Sequence, residues 1–380
     1  MRYADVRLVI GTRPEAIKLA PVAHALAARG VTPRLILTGQ HPGLDPPTFA
    51  LGDYPCTDLR CRGRENPRDY SVAVAIRLAD HLAERPALVI VQGDTSSALG
   101  GALAGSAMHI PVAHVEAGLR THDPTSPWPE EEFRVAIDSR ADLLFAPTEL
   151  SAANLRRESV RGAIHVTGNS GIDAVLAAAA ELVPGERQAS RRRLLVTCHR
   201  RESWGEGLRS IAAALVALAG DAQIDFVLHP NPAVAAAMRR ALADCPAIQV
   251  HPPCAHADLL RMMLSATLTL SDSGGMQEEA AALGAPLLVL RDKTERPEAI
   301  ATGNMILVGT DSFRIVAEAR RLLRDQVALA AMARPAFPYG DGRSAPRIAR
   351  IITDWLDQRK RGASRLRNAP QSDAEVSDQN

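Results

Sequence analysis

Three carboxylates and an imidazole stand where this sequence could do acid–base chemistry. Asp94 follows the apolar run 88–91, Glu116 follows the run 112–115, and His199, trailed by Arg200, Arg201 and Glu202, follows the run 194–197. Each sits just past the carboxyl end of an expected strand, where open α/β sheets place their ligands. Glu130 lies in SPWPEEEFR, where Pro127 and Pro129 fix the backbone ahead of a helix. Carboxylates brought into one site shift each other's pKa, the usual route to an acid and a base from one residue type.

Two further segments have the makings of an anion site. The run 6–10 leads into GTRPEAIK, residues 11–18, in which Thr12 and Glu15 have capping-box spacing and Pro14 is confined to the first turn. A helix starts there, and its free N–H groups, with Arg13 and Lys18 on adjoining turns, suit a phosphate. The second segment is the better one: the run 268–271 leads into Asp272-Ser273-Gly274-Gly275 and a helix over 276–283. Paired glycines allow close approach to the backbone, Ser273 adds a hydroxyl, and the helix dipole contributes about 0.3–1 kcal/mol. Glu279, one turn on, could accept hydrogen bonds from ribose hydroxyls. Taken singly, each residue has a plainer role: an aspartate that caps a helix, an acidic run at a solvated helix start, a structural histidine, surface charges at Arg13 and Lys18. Their convergence on one crevice favours a site.

The elements that must bring them together read as two sets of short apolar runs with helical patterns between, the signature of parallel sheets with crossover helices. The first set is 6–10, 34–37, 88–91, 112–115 and 143–146; the second is 194–197, 226–228, 248–250, 267–270 and 287–290. The expected fold is therefore α/β, two Rossmann-like domains around a cleft. We place the first at 1–167 and the second at 168–345, with a hinge within 168–192, where an alanine-rich helix breaks at Pro184 and Gly185. A helix over 346–359, with Ile348, Ile351, Ile352, Trp355 and Leu356 on one side, is placed to complete the first domain. The polar stretch 360–380 is expected to be disordered.

Composition narrows the function. The 380 residues carry 44 Lys plus Arg against 43 Asp plus Glu, so no broad field draws nucleic acid or an anionic membrane, and any phosphate must be held locally. The five cysteines are scattered and without paired metal-ligand spacing, no apolar run spans a bilayer, and the N-terminal run is short; a cytoplasmic protein with reduced thiols is expected. There is no GxxxxGK[ST] loop, no GxGxxG after the first strand, no HExxH and no GxSxG, which argues against a nicotinamide or ATP enzyme.

In order along the chain, GTRPEAIKLAPV, QGDT, HVEAGLR, SPWPEE, VTGN, HRRES, HPNP, SDSGGMQEEA and RDKTERPEA resemble the non-hydrolysing UDP-N-acetylglucosamine 2-epimerases. The resemblance runs from Val6 to about Gly342 and implies the glycosyltransferase-B fold and a homodimer. By position it implies catalytic roles for Asp94, Glu116, Glu130 and His199. It implies nucleotide-sugar contacts for Arg13, Lys18 and Arg134, and UDP contacts for Ser273, Gly274, Gly275, Glu279 and Arg296. Gln40 and His41 match a pair that in bacterial members helps hold a second, regulatory UDP-N-acetylglucosamine, but residues 42–47 depart from the family's continuation. Cys198 stands where a glycine commonly precedes the histidine, and Cys254 and His256 lie in the stretch that usually contacts uracil. The implied reaction eliminates UDP from C1 with loss of the C2 proton, then adds it back to the 2-acetamidoglucal with the proton on the other face. No redox cofactor or metal is implied. The alternatives are a 2-epimerase of a modified UDP-aminosugar, such as a diacetamido uronic acid or 6-deoxy sugar, a hydrolysing 2-epimerase, a glycosyltransferase of the same fold, and a non-catalytic nucleotide-sugar sensor.

Overall fold

Strands buried on both faces read as nearly continuous apolar runs, and these runs organise the chain. The computed structural model describes residues 5–125, 127–182, 192–198, 205–229 and 231–367. Seven parallel strands form a first sheet: β1 Asp5–Ile10, β2 Thr32–Leu37, β3 Cys56–Asp58, β4 Leu88–Gln92, β5 Val112–Val115, β6 Leu143–Ala146 and β7 Ala163–Val166, in spatial order β3-β2-β1-β4-β5-β6-β7. Six form a second: β8 Arg193–Thr197, β9 Gln223–Val227, β10 Ile248–His251, β11 Leu268–Ser271, β12 Leu287–Val289 and β13 Met305–Leu307, in order β10-β9-β8-β11-β12-β13. Strand order reverses beside β1 and beside β8, and at such switch points the loops diverge and open a crevice at the carboxyl ends. Asp94 follows β4 and Ser273 follows β11, each the neighbour of a switch strand.

The expected strands are present, and three more were not foreseen. β3, β7 and β13 are three or four residues long at or near sheet edges, and only one residue among the three is fully buried. Without two covered faces they have no apolar run to announce them. The capping box forms as the spacing predicts: Thr12 Oγ1 accepts from Glu15 N, and the Glu15 carboxylate reaches back to Thr12 N, starting the helix Arg13–Ala27.

The C-terminal helix, Ser344–Arg367, packs back on the first sheet, where Ile348, Ala349, Ile352 and Leu356 share a core with Leu8, Leu19 and Leu26. It continues past residue 360, where composition predicts disorder. The run Gln358 to Arg361 is made of strong helix formers, and the Arg359 guanidinium lies 4.8 Å over the Trp355 ring, so the polar turns extend a helix already anchored by its apolar face. Residues 368–380 lie outside the described residues. Among the described residues no helix is long and apolar enough to cross a membrane.

Candidate active site

A cavity of about 580 Å³ opens where the carboxyl ends of the two sheets face each other. Its first wall is built from turns. β4 ends in Gln92-Gly93-Asp94, and β5 ends at Glu116, whose φ of 72° lies in the left-handed region that a non-glycine residue adopts only under constraint. Lys18, on the second turn of the Arg13–Ala27 helix, places Nζ 2.7 Å from both Glu116 carboxylate oxygens. The helix Glu130–Asp138 presents Glu130 and Arg134 one turn apart, and Arg134 pairs with Asp94 while its Nη1 donates to Glu131 at 2.9 Å. Of the two strand-end acids, Asp94 is the more open, with 28% of its side chain exposed against 4% for Glu116.

The second wall is a helix start. Ser273 is the N-cap of the helix Gly274–Leu283, and its hydroxyl makes no capping bond, which leaves it available to a ligand beside the first-turn N–H groups. At Gly274 a Cβ would lie 2.6 Å from Arg296 Nη1, so a larger residue there would have to displace that guanidinium. Glu279 accepts from His256 Nε2 at 2.9 Å through one oxygen, and its other oxygen is buried with no hydrogen-bond partner among the described residues. A buried acceptor of that kind suits a sugar hydroxyl. Burial pulls the His256 imidazole down, and the Glu279 carboxylate more than offsets this and leaves it raised.

The walls are joined through Arg296. Its Nη2 donates to Glu116 Oε1 at 2.9 Å, its Nε to Glu278 Oε1 at 2.5 Å, and its Nη1 to Glu295. Asn169 Nδ2 donates to the second Glu278 oxygen at 2.7 Å. Burial opposes charge on Lys18, but the carboxylates of Glu116 and Glu278 prevail and raise its pKa; burial raises Glu278, against the pull of Lys18 and Arg296. The result is a buried lattice of cations and carboxylates that leaves the anion-holding and acid-bearing walls in direct contact.

Of the residues singled out from sequence, Asp94, Glu116, Glu130, Lys18, Arg134, Ser273, Gly274, Gly275, Glu279, Arg296, Gln40 and His41 all line this cavity. Arg13 does not: it is exposed on the first helical turn, where its charge, after burial, helps lower the pKa of His41. His199 lies outside the described residues. Gln40 turns inward, its Oε1 accepting from Ser97 N at 3.2 Å and Ser97 Oγ at 2.6 Å, so it braces a neighbouring helix start. His41 also borders a second cavity of about 480 Å³ beyond β1 to β3. Gln92, Glu15, Glu278 and Glu295 were not read from sequence as site residues. Glu278 had a signal: it lies four positions after Gly274, on the same helical face as the glycine that opens the helix.

Two Rossmann-like units facing each other over an acid wall and an open helix start define an enzyme of the glycosyltransferase-B-like class. Comparison with known proteins narrows this. A profile described as UDP-N-acetylglucosamine 2-epimerase matches residues 24–353. The UDP-N-acetylglucosamine 2-epimerase of Escherichia coli K12 is 41% identical over 367 residues, spanning 91% of this chain and 98% of the relative; that of Salmonella typhimurium is 40% identical over 374 residues, spanning 92% and 98%. The crystal structure of UDP-GlcNAc 2-epimerase from Neisseria meningitidis bound to UDP-GlcNAc superposes with a TM-score of 0.86 at 35% identity, covering 92% of this chain and all of that one. The Methanocaldococcus jannaschii UDP-GlcNAc 2-epimerase in complex with UDP-GlcNAc and UDP gives 0.82 at 33% identity, covering 92% and 99%. The chain belongs to the UDP-N-acetylglucosamine 2-epimerase family, and is an isomerase.

Proposed function

We propose that this chain interconverts UDP-GlcNAc and UDP-ManNAc without hydrolysis, by elimination and re-addition of UDP through a 2-acetamidoglucal. The observation that carries the reading is the Arg296–Glu116 contact, which sets a carboxylate of the acid wall against the wall suited to a diphosphate. A C2 proton is weakly acidic and leaves only as the C1–O bond stretches toward an oxocarbenium ion, so the reaction needs a base and stabilising negative charge in one place, with the leaving UDP held for return. A positioned base or acid contributes typically about 10²–10⁴-fold. Asp94 and Glu116 are the first candidates for the C2 base, and the greater exposure of Asp94 supports it as the acid that reaches the sugar. Glu116, held by Lys18 and Arg296, would then stabilise developing positive charge; Glu130 and His199 complete the proposed catalytic set.

The Ser273 hydroxyl, the N–H groups at Gly274 and Gly275, and Arg296 would hold the diphosphate, Glu279 the ribose, with Lys18 and Arg134 framing the sugar. Held in this way, UDP and the glycal can recombine before either escapes. The reading includes a cytoplasmic homodimer whose first domain, 1–167, is completed by the C-terminal helix and whose second is 168–345; the packing of Ile348 and Ile352 among first-sheet residues supports that division.

The test is proton NMR of UDP-GlcNAc with the protein in deuterated water and no acceptor. UDP-ManNAc should accumulate with deuterium at C2; failure of C2 exchange with any UDP-aminosugar overturns the proposal, and release of free sugar would point to hydrolysis.

A further inference from the structure

Behind the acid wall, outside the cavity lining, is a set centred on the fully buried His114 and Asp138 that none of these roles uses. His114 lies on β5, two residues before Glu116, with Nδ1 2.6 Å from Asp138 Oδ1 and Nε2 2.8 Å from the Gly93 carbonyl oxygen. The second Asp138 oxygen accepts from Gly118 N at 3.1 Å and from Arg120 Nη2 at 2.6 Å, and Arg120 reaches on to Glu158 at 2.6 Å. Burial raises the Asp138 carboxyl, but the charges and hydrogen bonds of His114 and Arg120 outweigh it and hold the group below its ordinary range, so Asp138 is an ionised acceptor. A backbone carbonyl, likewise, can only accept. With Asp138 at one ring nitrogen and the Gly93 carbonyl at the other, His114 ties the Glu130–Asp138 helix to the turn that carries Asp94.

What this set grips is specific. Gly93 immediately precedes Asp94, and Gly118 lies two residues after Glu116. Both turns run through left-handed backbone, at Gly93 (φ 69°), Glu116 (φ 72°) and Gly118 (φ 83°), conformations that persist where surrounding bonds over-determine them. Asp138 is spaced four and eight residues from Arg134 and Glu130, so one face of one helix carries all three.

We propose that His114, held between the Asp138 carboxylate and the Gly93 carbonyl, is a positioning residue that fixes the Asp94 and Glu116 turns relative to each other. The inference rests on the reading of those two acids as the reaction's own. Its first test needs no variant: in wild-type protein labelled with ¹⁵N, the Nε2 of His114 should show attached hydrogen at the assay pH, and a bare Nε2 overturns the clamp. The second is His114→Gln, which keeps a donor for Gly93 and loses the one for Asp138. We expect kcat to fall by about 10²-fold, the scale of a misplaced catalytic group, with KM for the UDP-sugar changed less than about threefold and the melting transition still cooperative. An unchanged kcat in that folded variant contradicts the proposal; should the variant not fold, the nitrogen spectrum decides. If Asp94→Asn and Glu116→Gln are themselves fully active, it is the reading of the acids that fails, and the spectrum still reports on the clamp.

Discussion

On the first sheet, strands end in tight turns that hold side-chain carboxylates: β4 in Gln92-Gly93-Asp94 and β5 in Glu116. On the second, β11 ends in Asp272-Ser273-Gly274-Gly275, a helix start that offers backbone N–H groups and room beside them. The two share a parallel α/β plan and the same topological position. They differ in what must be fixed. The first wall holds its carboxylates through side-chain partners, and Glu116 has Lys18, Arg296 and Gln92 around it. A diphosphate is held by backbone dipoles that the helix orients, so its wall needs little side chain and much space.

The comparison breaks most sharply at Glu116. Glu116→Gln removes charge from the acid wall, and kcat for interconversion should fall by about 10²–10⁴-fold in steady-state assays while UDP affinity changes little. Gly274→Ala should do the reverse. Its new Cβ would meet Arg296 Nη1 at 2.6 Å and Glu295 Oε1 at 3.2 Å, so overpacking should cost about 1–3 kcal/mol and lower UDP affinity roughly tenfold by titration calorimetry.

A smaller effect comes from the start of the first helix. Burial pushes the Glu15 carboxyl up to about 7, against hydrogen bonds from Thr95, Gly11 and Thr12. A carboxyl raised in the folded chain binds its proton more tightly there than when unfolded. Its contribution is therefore complete below pH 4.5, the ordinary value, and is lost as pH rises through about 7. Glu15→Gln should flatten that fall in the urea midpoint; an unchanged slope would show that the group is ionised throughout. The smallest effect should come from the exposed link across the cleft, Lys293 Nζ to Asp123 at 2.9 Å. Lys293→Ala should leave kcat and melting temperature unchanged within error, in contrast to any change at Arg296, because solvent screens the pair.

Much of this site was legible because its parts are local. A strand end with Asp94, the capping box at Thr12 and Glu15, and the glycine pair after Ser273 are each written within a few residues, and the spacing alone places them at strand ends and helix starts. What was not legible is what distant segments do to one another. Arg296 meets Glu116 from 180 positions along the chain, and His114 meets Asp138 across 24 positions, with nothing in either neighbourhood to announce the contact. Arg13 shows the converse: helix-start position and charge suggested a ligand contact, but the residue is exposed and is not among those that line the cavity. The short strands β3 and β7 at the edges of the first sheet escaped because strand length and burial, not pairing, are what a linear pattern reveals.

Division of labour between the walls is tested most directly by Asp94→Asn, followed by C2 deuterium exchange at saturating UDP-GlcNAc alongside UDP affinity. Exchange should drop by at least about 10²-fold with UDP affinity within about twofold of the parent. Exchange at the parental rate, or a parallel collapse of UDP affinity, would contradict a first wall devoted to the proton and a second devoted to the nucleotide.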